Sequence, residues 1–102
     1  MIRGTTPIHT YDIPFDVSLI ADLRVSYAQN GKEVVVKKKE DVTLDGNTIT
    51  VELSQAETFL FDCGKRVVDI QVRVLTVNGD ALCSNVMTMQ VEKCLNNEVL
   101  TK

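Results

Sequence analysis

Apolar and polar residues alternate one for one along much of this chain, and this alternation restricts the fold more than any other feature. It is clearest in residues 23–27, 49–53, 68–74 and 87–91. Successive side chains of a β-strand point to opposite faces, so each segment has one apolar and one polar face. The segments are also rich in Val, Ile and Thr, which favour strands. We therefore predict antiparallel strands, each with one face buried.

Turn signals separate these segments. Asn30-Gly31, Asp45-Gly46 and Asn78-Gly79 are dipeptides that tolerate positive φ at two successive positions, as a type I′ hairpin turn requires. The predicted hairpins join residues 22–29 to 33–37, residues 41–44 to 47–53, and residues 66–77 to 81–91.

Two further segments have features of edge strands. Residues 9–15 form a predicted strand that Pro14 and Pro7 restrict to an edge, because proline cannot donate to a ladder. In "VVVKKKED", three valines precede three lysines. The lysines could form a patch for a polyanion or a partner, but Glu40 and Asp41 offset their charge. We favour an edge strand on which lysines discourage aggregation.

One stretch departs from the alternation. Ser54 is followed three residues later by Glu57, the spacing of a capping box, in which each side chain accepts a hydrogen bond from a backbone N–H of the first turn. This predicts a short helical turn that ends before Cys63-Gly64 and carries the chain from one sheet to the other.

These elements predict an all-β fold. About seven strands and one helical turn in 102 residues describe an immunoglobulin-like, two-sheet antiparallel β-sandwich, with a small barrel as the alternative. A chain of this length forms one core. We expect a single domain over residues 1–95, including the N-terminal strand, and a flexible tail over residues 96–102.

Charge and composition argue against several classes of partner. The net charge is −3, and neutralising phosphates takes an excess of clustered Lys and Arg, so we expect no nucleic-acid partner. We also expect no membrane partner, since there is neither a secretory signal nor a long apolar run. Cys63, Cys83 and Cys94 share no C-x-x-C spacing, which indicates reduced thiols.

A calcium site is the first metal hypothesis to weigh. Four residues match positions 1, 5, 6 and 12 of an EF-hand loop: Asp41, Asp45, Gly46 and Glu52. However, Ile49 at position 9 has no side-chain oxygen, and strands rather than helices flank the loop. We therefore interpret these residues as a β-hairpin.

Other chemistry has no better support. His9 is the only histidine, so a zinc site would need ligands from unrelated strands. No nucleophile signature surrounds any cysteine or serine, and glycine-rich phosphate loops are missing. We predict no enzymatic activity, no catalytic residues, no metal and no cofactor.

The whole pattern resembles a known family. The shared features are an LRVSYAQ-type strand, the acidic "DGN" hairpin, "LSQAETFLF" and "DIQVRVLTVNGDALCSNVMTMQV", together covering about residues 15–95. They resemble small proteins encoded among the structural genes of tailed bacteriophages and Firmicutes prophages. The layout is similar to the N-terminal immunoglobulin-like domain of phage baseplate upper proteins. Those proteins continue into a receptor-binding or trimerising region that these residues lack, so the resemblance implies an accessory or connector protein.

The resemblance implies a virion protein of the tail, neck or baseplate that docks to other phage structural proteins and to copies of itself. It would be made in the host bacterial cytoplasm and then incorporated into the virion. The candidate contact residues are Ile8, Tyr11, Ile13, Phe15, Val34, Val36, Leu95, Val99 and Leu100.

A carbohydrate- or ligand-binding β-sandwich is the alternative function, since fold does not fix function. It would need exposed aromatic side chains to stack on sugars. The available ones are Tyr11, Phe15, Tyr27, Phe59 and Phe61.

Overall fold

The computed structural model describes residues 1–64 and 67–102. Within them lie eight strands and one α-helix, together with short 3₁₀ turns at Val17–Leu19 and Lys39–Asp41. The strands and the helix are β1 (Ile8–Asp12), β2 (Ile20–Gln29), β3 (Lys32–Lys38), β4 (Thr43–Asp45), β5 (Thr48–Glu52), α1 (Gln55–Phe59), β6 (Val67–Thr76), β7 (Ala81–Cys83) and β8 (Met87–Gln90).

The strands form two sheets of unequal width. The smaller sheet has the order β1-β5-β4, and the larger has the order β3-β2-β6-β7, with β8 also pairing with β6. Every strand pair is antiparallel. The prediction of an all-β, two-sheet antiparallel sandwich is confirmed, and α1 lies where the chain passes from the smaller sheet to the larger.

The core lies between the facing sides of the sheets. In the central pair of the larger sheet, Val25 lies opposite Val72 and Tyr27 opposite Ile70. From the smaller sheet Ile49 and Val51 are fully buried against them. Burying an aliphatic side chain of this size contributes roughly 1.5–3 kcal/mol. The alternation therefore identified the inward faces of these strands.

The first hairpin has the predicted type I′ turn. Asn30 and Gly31 form a two-residue loop with φ values of 53° and 73°. Asn tolerates this left-handed conformation better than most residues, and glycine adopts it freely.

The other two hairpins form, but not with type I′ turns. Gly46 has a φ of 58° while Asp45 and Asn47 do not have positive φ, so the loop has the pattern of a type II′ turn. In the third hairpin, Thr76 N–H donates to Asp80 O at 2.9 Å across a three-residue loop in which Gly79 has a φ of 88°. Such longer loops need positive φ at the glycine alone.

The return strand of the third hairpin is divided, where the alternation predicted one strand. Ser84 Oγ accepts a hydrogen bond from Val72 N–H at 3.0 Å, and Ser84 N–H donates to Val72 O at 2.8 Å. A side-chain oxygen thus occupies the place of a main-chain acceptor, and β7 is separated from β8. Arg66, the predicted start of the hairpin, lies outside the described residues.

Both predicted edge strands lie at edges. β3 borders the larger sheet and β1 borders the smaller one. The prediction that the N-terminal strand reaches Phe15 is wrong, because β1 ends at Asp12. Its last link to β5 is the bond from Ile13 N–H to Asn47 O at 2.8 Å, and Pro14 cannot extend the ladder.

The predicted capping box opens α1. Ser54 Oγ accepts from Glu57 N–H at 3.1 Å, and Glu57 Oε1 accepts from Ser54 N–H at 2.9 Å. Thr58, which is fully buried, donates its hydroxyl to Thr5 O at 3.0 Å. The helix therefore also holds the N-terminal segment in place.

Gln29 ties the end of β2 to the segment after α1. Its buried side chain donates to Asp62 O at 2.9 Å and accepts from Asp62 N–H at 2.7 Å. Both backbone groups of one residue are thereby satisfied by a single side chain.

We expect Gln29→Met to lower the free energy of unfolding by about 1–3 kcal/mol, because both Asp62 groups lose their partner. Urea unfolding followed by circular dichroism measures the change. Gln71→Met is the matched control, since Gln71 is only half-buried and makes one bond, to Ser84 O. Equal losses in both variants would contradict the role assigned to Gln29.

Candidate docking groove

The outer edge of β1 is an open β-ladder. Ile13 N–H and Pro7 O bond to Asn47 and Leu53 on the β5 side. Since alternate residues of a strand direct their backbone groups to opposite sides, those of Ile8, Thr10 and Asp12 point away from β5. Among the described residues, no strand pairs with β1 on that side.

An apolar groove of about 510 Å³ runs beside this free edge. One wall is formed by residues 10–15, and the rest by Val72 and Val74 of β6 with residues 82–84 and Met87. Leu82 pairs with Val74 and Met87 with Ile70, so both side chains lie on the inward face of the larger sheet. Yet they are 46% and 37% exposed. The smaller sheet is too narrow to cover them.

The groove brings together three of the predicted contact residues. Tyr11, Ile13 and Phe15 line it, each half-buried. Ile8 lies at the start of the same strand and is exposed. The other predicted residues are elsewhere: Val34 and Val36 are on β3 at the edge of the larger sheet, and Leu95, Val99 and Leu100 are in the C-terminal segment.

Leu82 and Met87 were missed as contact residues. Their inward orientation follows from the alternation, but their exposure depends on the width of the opposite sheet. Only the tertiary structure shows that β1 is the last strand above them.

A polar cluster lies behind β1. The hydroxyl of Tyr27, which is fully buried, is 2.9 Å from His9 Nδ1 and 3.0 Å from the Tyr11 hydroxyl. Burial raises the pKa of Tyr27 and of Tyr11 and lowers the pKa of His9. All three groups are therefore neutral at neutral pH, and their hydrogen bonds hold β1 against the larger sheet.

The groove carries little charge. Asp12 is the one charged residue among those that line it in the described part of the chain. Such a surface suits an apolar partner segment.

Further observations bear on the other chemical hypotheses. Cys83 is exposed, and Cys63 and Cys94 are half-buried with free thiols. Within residues 1–64 and 67–102, no three His, Cys, Asp or Glu side chains are grouped closely enough to hold a metal ion. No helix in those ranges is long and apolar enough to cross a membrane.

Comparisons with known proteins return no relatives. No protein-family model matches the chain. No curated protein and no solved structure matches it either.

Protonation of His9 should destabilise the fold. Its pKa is lower in the folded protein than in the unfolded chain, so the unfolded chain binds the proton more tightly. We expect the melting temperature to fall between about pH 7.5 and 5.5, as pH drops through the pKa of an unfolded histidine. His9→Asn cannot protonate and should show a smaller fall. Equal falls in both proteins would contradict the assignment.

Calcium should not stabilise the protein. Asp45 lies opposite Thr48, and Glu52 is four residues further along β5, about 13 Å away at strand spacing. Their carboxylates therefore cannot share one ion. We expect an unchanged melting temperature when calcium is added, with magnesium as the control. A rise of several degrees with calcium alone would restore the EF-hand hypothesis.

Proposed function

We propose that this protein is a non-enzymatic, immunoglobulin-like docking module of a phage or prophage virion, which accepts a β-strand from a neighbouring protein along β1. The observation that carries the proposal is the open edge of β1 beside an apolar groove. Immunoglobulin-like modules commonly act through such surfaces rather than through catalytic groups.

The strand order supports the immunoglobulin-like assignment. In that fold, strands A, B, E and D form one sheet, and strands C, F and G form the other. The variable type of the fold adds strand C′ to this second sheet. Here β1-β5-β4 corresponds to B-E-D, and β3-β2-β6-β7 corresponds to C′-C-F-G. The groove occupies the position of strand A, which would lie beside B.

Strand addition would satisfy both the polar and the apolar parts of this surface. The N–H and C=O groups of Ile8, Thr10 and Asp12 would gain main-chain partners. The inward side chains of the added strand would cover Leu82 and Met87, which are exposed without it. Main-chain bonds supply affinity in such complexes, and alternate side chains supply specificity.

The virion setting rests on the resemblance of residues 15–95 to proteins of phage and prophage structural genes. Under this proposal the partners are other tail, neck or baseplate proteins and copies of the same chain. The protein would assemble in the bacterial host cytoplasm and remain in the particle.

The aromatic side chains give little support to carbohydrate binding. Tyr27 and Phe61 are fully buried. Tyr11, Phe15 and Phe59 are half-buried, and Phe59 contacts the Arg3 guanidinium at 5.5 Å from its ring centroid. A sugar-stacking platform needs a well-exposed ring, and none of these five aromatic residues is exposed.

Thr10→Pro tests the proposal at a single backbone group. The N–H of Thr10 points away from β5, so proline would remove a donor to an incoming strand and spare the ladder of the protein itself. Because proline also blocks close approach of a strand, we expect about a tenfold loss of the protein from purified particles. Quantitative mass spectrometry of the particles measures it.

Thr10→Ala is the matched control, since it removes the same side chain and keeps the N–H. Melting temperatures of both variants establish that they fold. Incorporation of Thr10→Pro at the level of the unmodified protein would overturn strand addition at β1. Absence of the unmodified protein from particles would overturn the virion setting.

A further inference from the structure

We propose that the strand accepted by the groove is the C-terminal segment of a second copy of this chain, residues 93–102. This inference rests on the proposed function and names the occupant of the same site. The C-terminal segment is the stretch KCLNNEVLTK.

The apolar spacing of this segment matches the groove. Leu82 and Met87 lie opposite Val74 and Ile70, which are four residues apart on β6. The two uncovered side chains are therefore separated by four strand positions, about 13 Å. Leu95 and Val99 are also four residues apart, so in an extended strand they share one face at the same separation.

The segment is available for pairing. It contains no helix or strand after the isolated bridge at Glu92. Leu95 is 90% exposed and Val99 is 52% exposed. Pairing would therefore bury Leu95 and Val99 against Leu82 and Met87, and all four side chains are exposed to solvent without it.

The charges are complementary. Asp12 is the charged residue of the groove within the described chain, and Lys93 and Lys102 flank the segment. Asp12 lies on the outward face of β1, where Thr48 Oγ1 donates to its carboxylate at 3.1 Å. In a strand that directs Leu95 and Val99 inward, Glu98 and Lys102 also lie on the outward, solvent-facing side. The inward face between Leu95 and Val99 carries only Asn97, so this part of the strand buries no charge in the groove.

The C-terminal segment does not occupy the groove of its own chain. Leu100 N–H donates to Gln55 Oε1 at 2.9 Å, and Gln55 Nε2 donates to Leu100 O at 3.0 Å. Val99 lies with Lys37, Glu52 and Gln55 in a separate cavity, and no residue of the segment lines the groove. Release of two surface hydrogen bonds would free the segment to reach a neighbour. Each copy has one segment and one groove, so two copies can exchange segments in a closed dimer, or several can join head-to-tail in rings or chains.

The test is the mass of the full chain in solution, measured by light scattering over a range of concentrations. We expect self-association that Val99→Asp weakens about tenfold or more, because it places a carboxylate on the apolar surface around Leu82 and Met87. Asn96→Asp is the matched control: it adds the same charge to the same segment, but the residue is exposed and faces away from the groove in the same strand. It should associate as the unmodified chain does.

Leu82→Asp and Met87→Asp probe the groove from the other side. Both residues are partly exposed, so the melting temperatures of the two variants should change little. If both variants lose association to the same extent, a folding defect in one of them does not explain the loss. Each should weaken association as Val99→Asp does. A synthetic peptide of residues 93–102 should dissociate the unmodified assembly.

The outcomes separate the two proposals. Loss of association in Val99→Asp and in both groove variants, but not in Asn96→Asp, supports the inference. Loss in the groove variants alone would show that the groove docks another strand, which overturns this inference and leaves the proposed function standing. A full chain that stays monomeric at every concentration and ignores the peptide also overturns the inference. Incorporation into particles, tested with Thr10→Pro, then decides the proposed function separately.

Discussion

The pairing of β2 with β6 is the contact on which the rest of the structure depends. These two ten-residue strands form the centre of the larger sheet, and their register sets Leu23, Val25 and Tyr27 beside Val74, Val72 and Ile70. The smaller sheet packs on the apolar face that this pair creates, and so do Phe61, which follows α1, and Met1. A shift of either strand by one residue would turn all of its inward side chains toward solvent.

Because the two sheets differ in width, part of the apolar face of the larger sheet is left uncovered and is available to a partner. β1 is the last strand of the smaller sheet, while the larger sheet continues into β7 and β8. The Tyr27 hydroxyl, His9 and Tyr11 fix β1 at that position. An open ladder and an uncovered apolar floor therefore lie side by side, which is the arrangement that an added strand completes. This is the basis of the docking proposals.

Local features of the fold were predictable where the governing interactions are close in sequence. The Asn30-Gly31 turn and the Ser54–Glu57 capping box involve neighbouring residues, and both formed as expected. The turn types at Gly46 and Gly79 were not predicted correctly, because the position of the first loop and the length of the second depend on how the flanking strands align. The division at Ser84 depends on a bond to Val72, twelve residues away. Of the groove, Tyr11, Ile13 and Phe15 were predicted, and its floor was not.

The sequence by itself determined the strands, their inward faces and the helical crossover, because alternation, turn residues and caps act within a few residues. The tertiary structure alone decided the order of the strands within each sheet and how far one sheet extends beyond the other. Leu82 and Met87 carry the same inward pattern as the core residues around them. Whether such a side chain is buried or left open to a partner depends on strands that are distant in the chain. A local sequence pattern does not indicate whether those strands cover it.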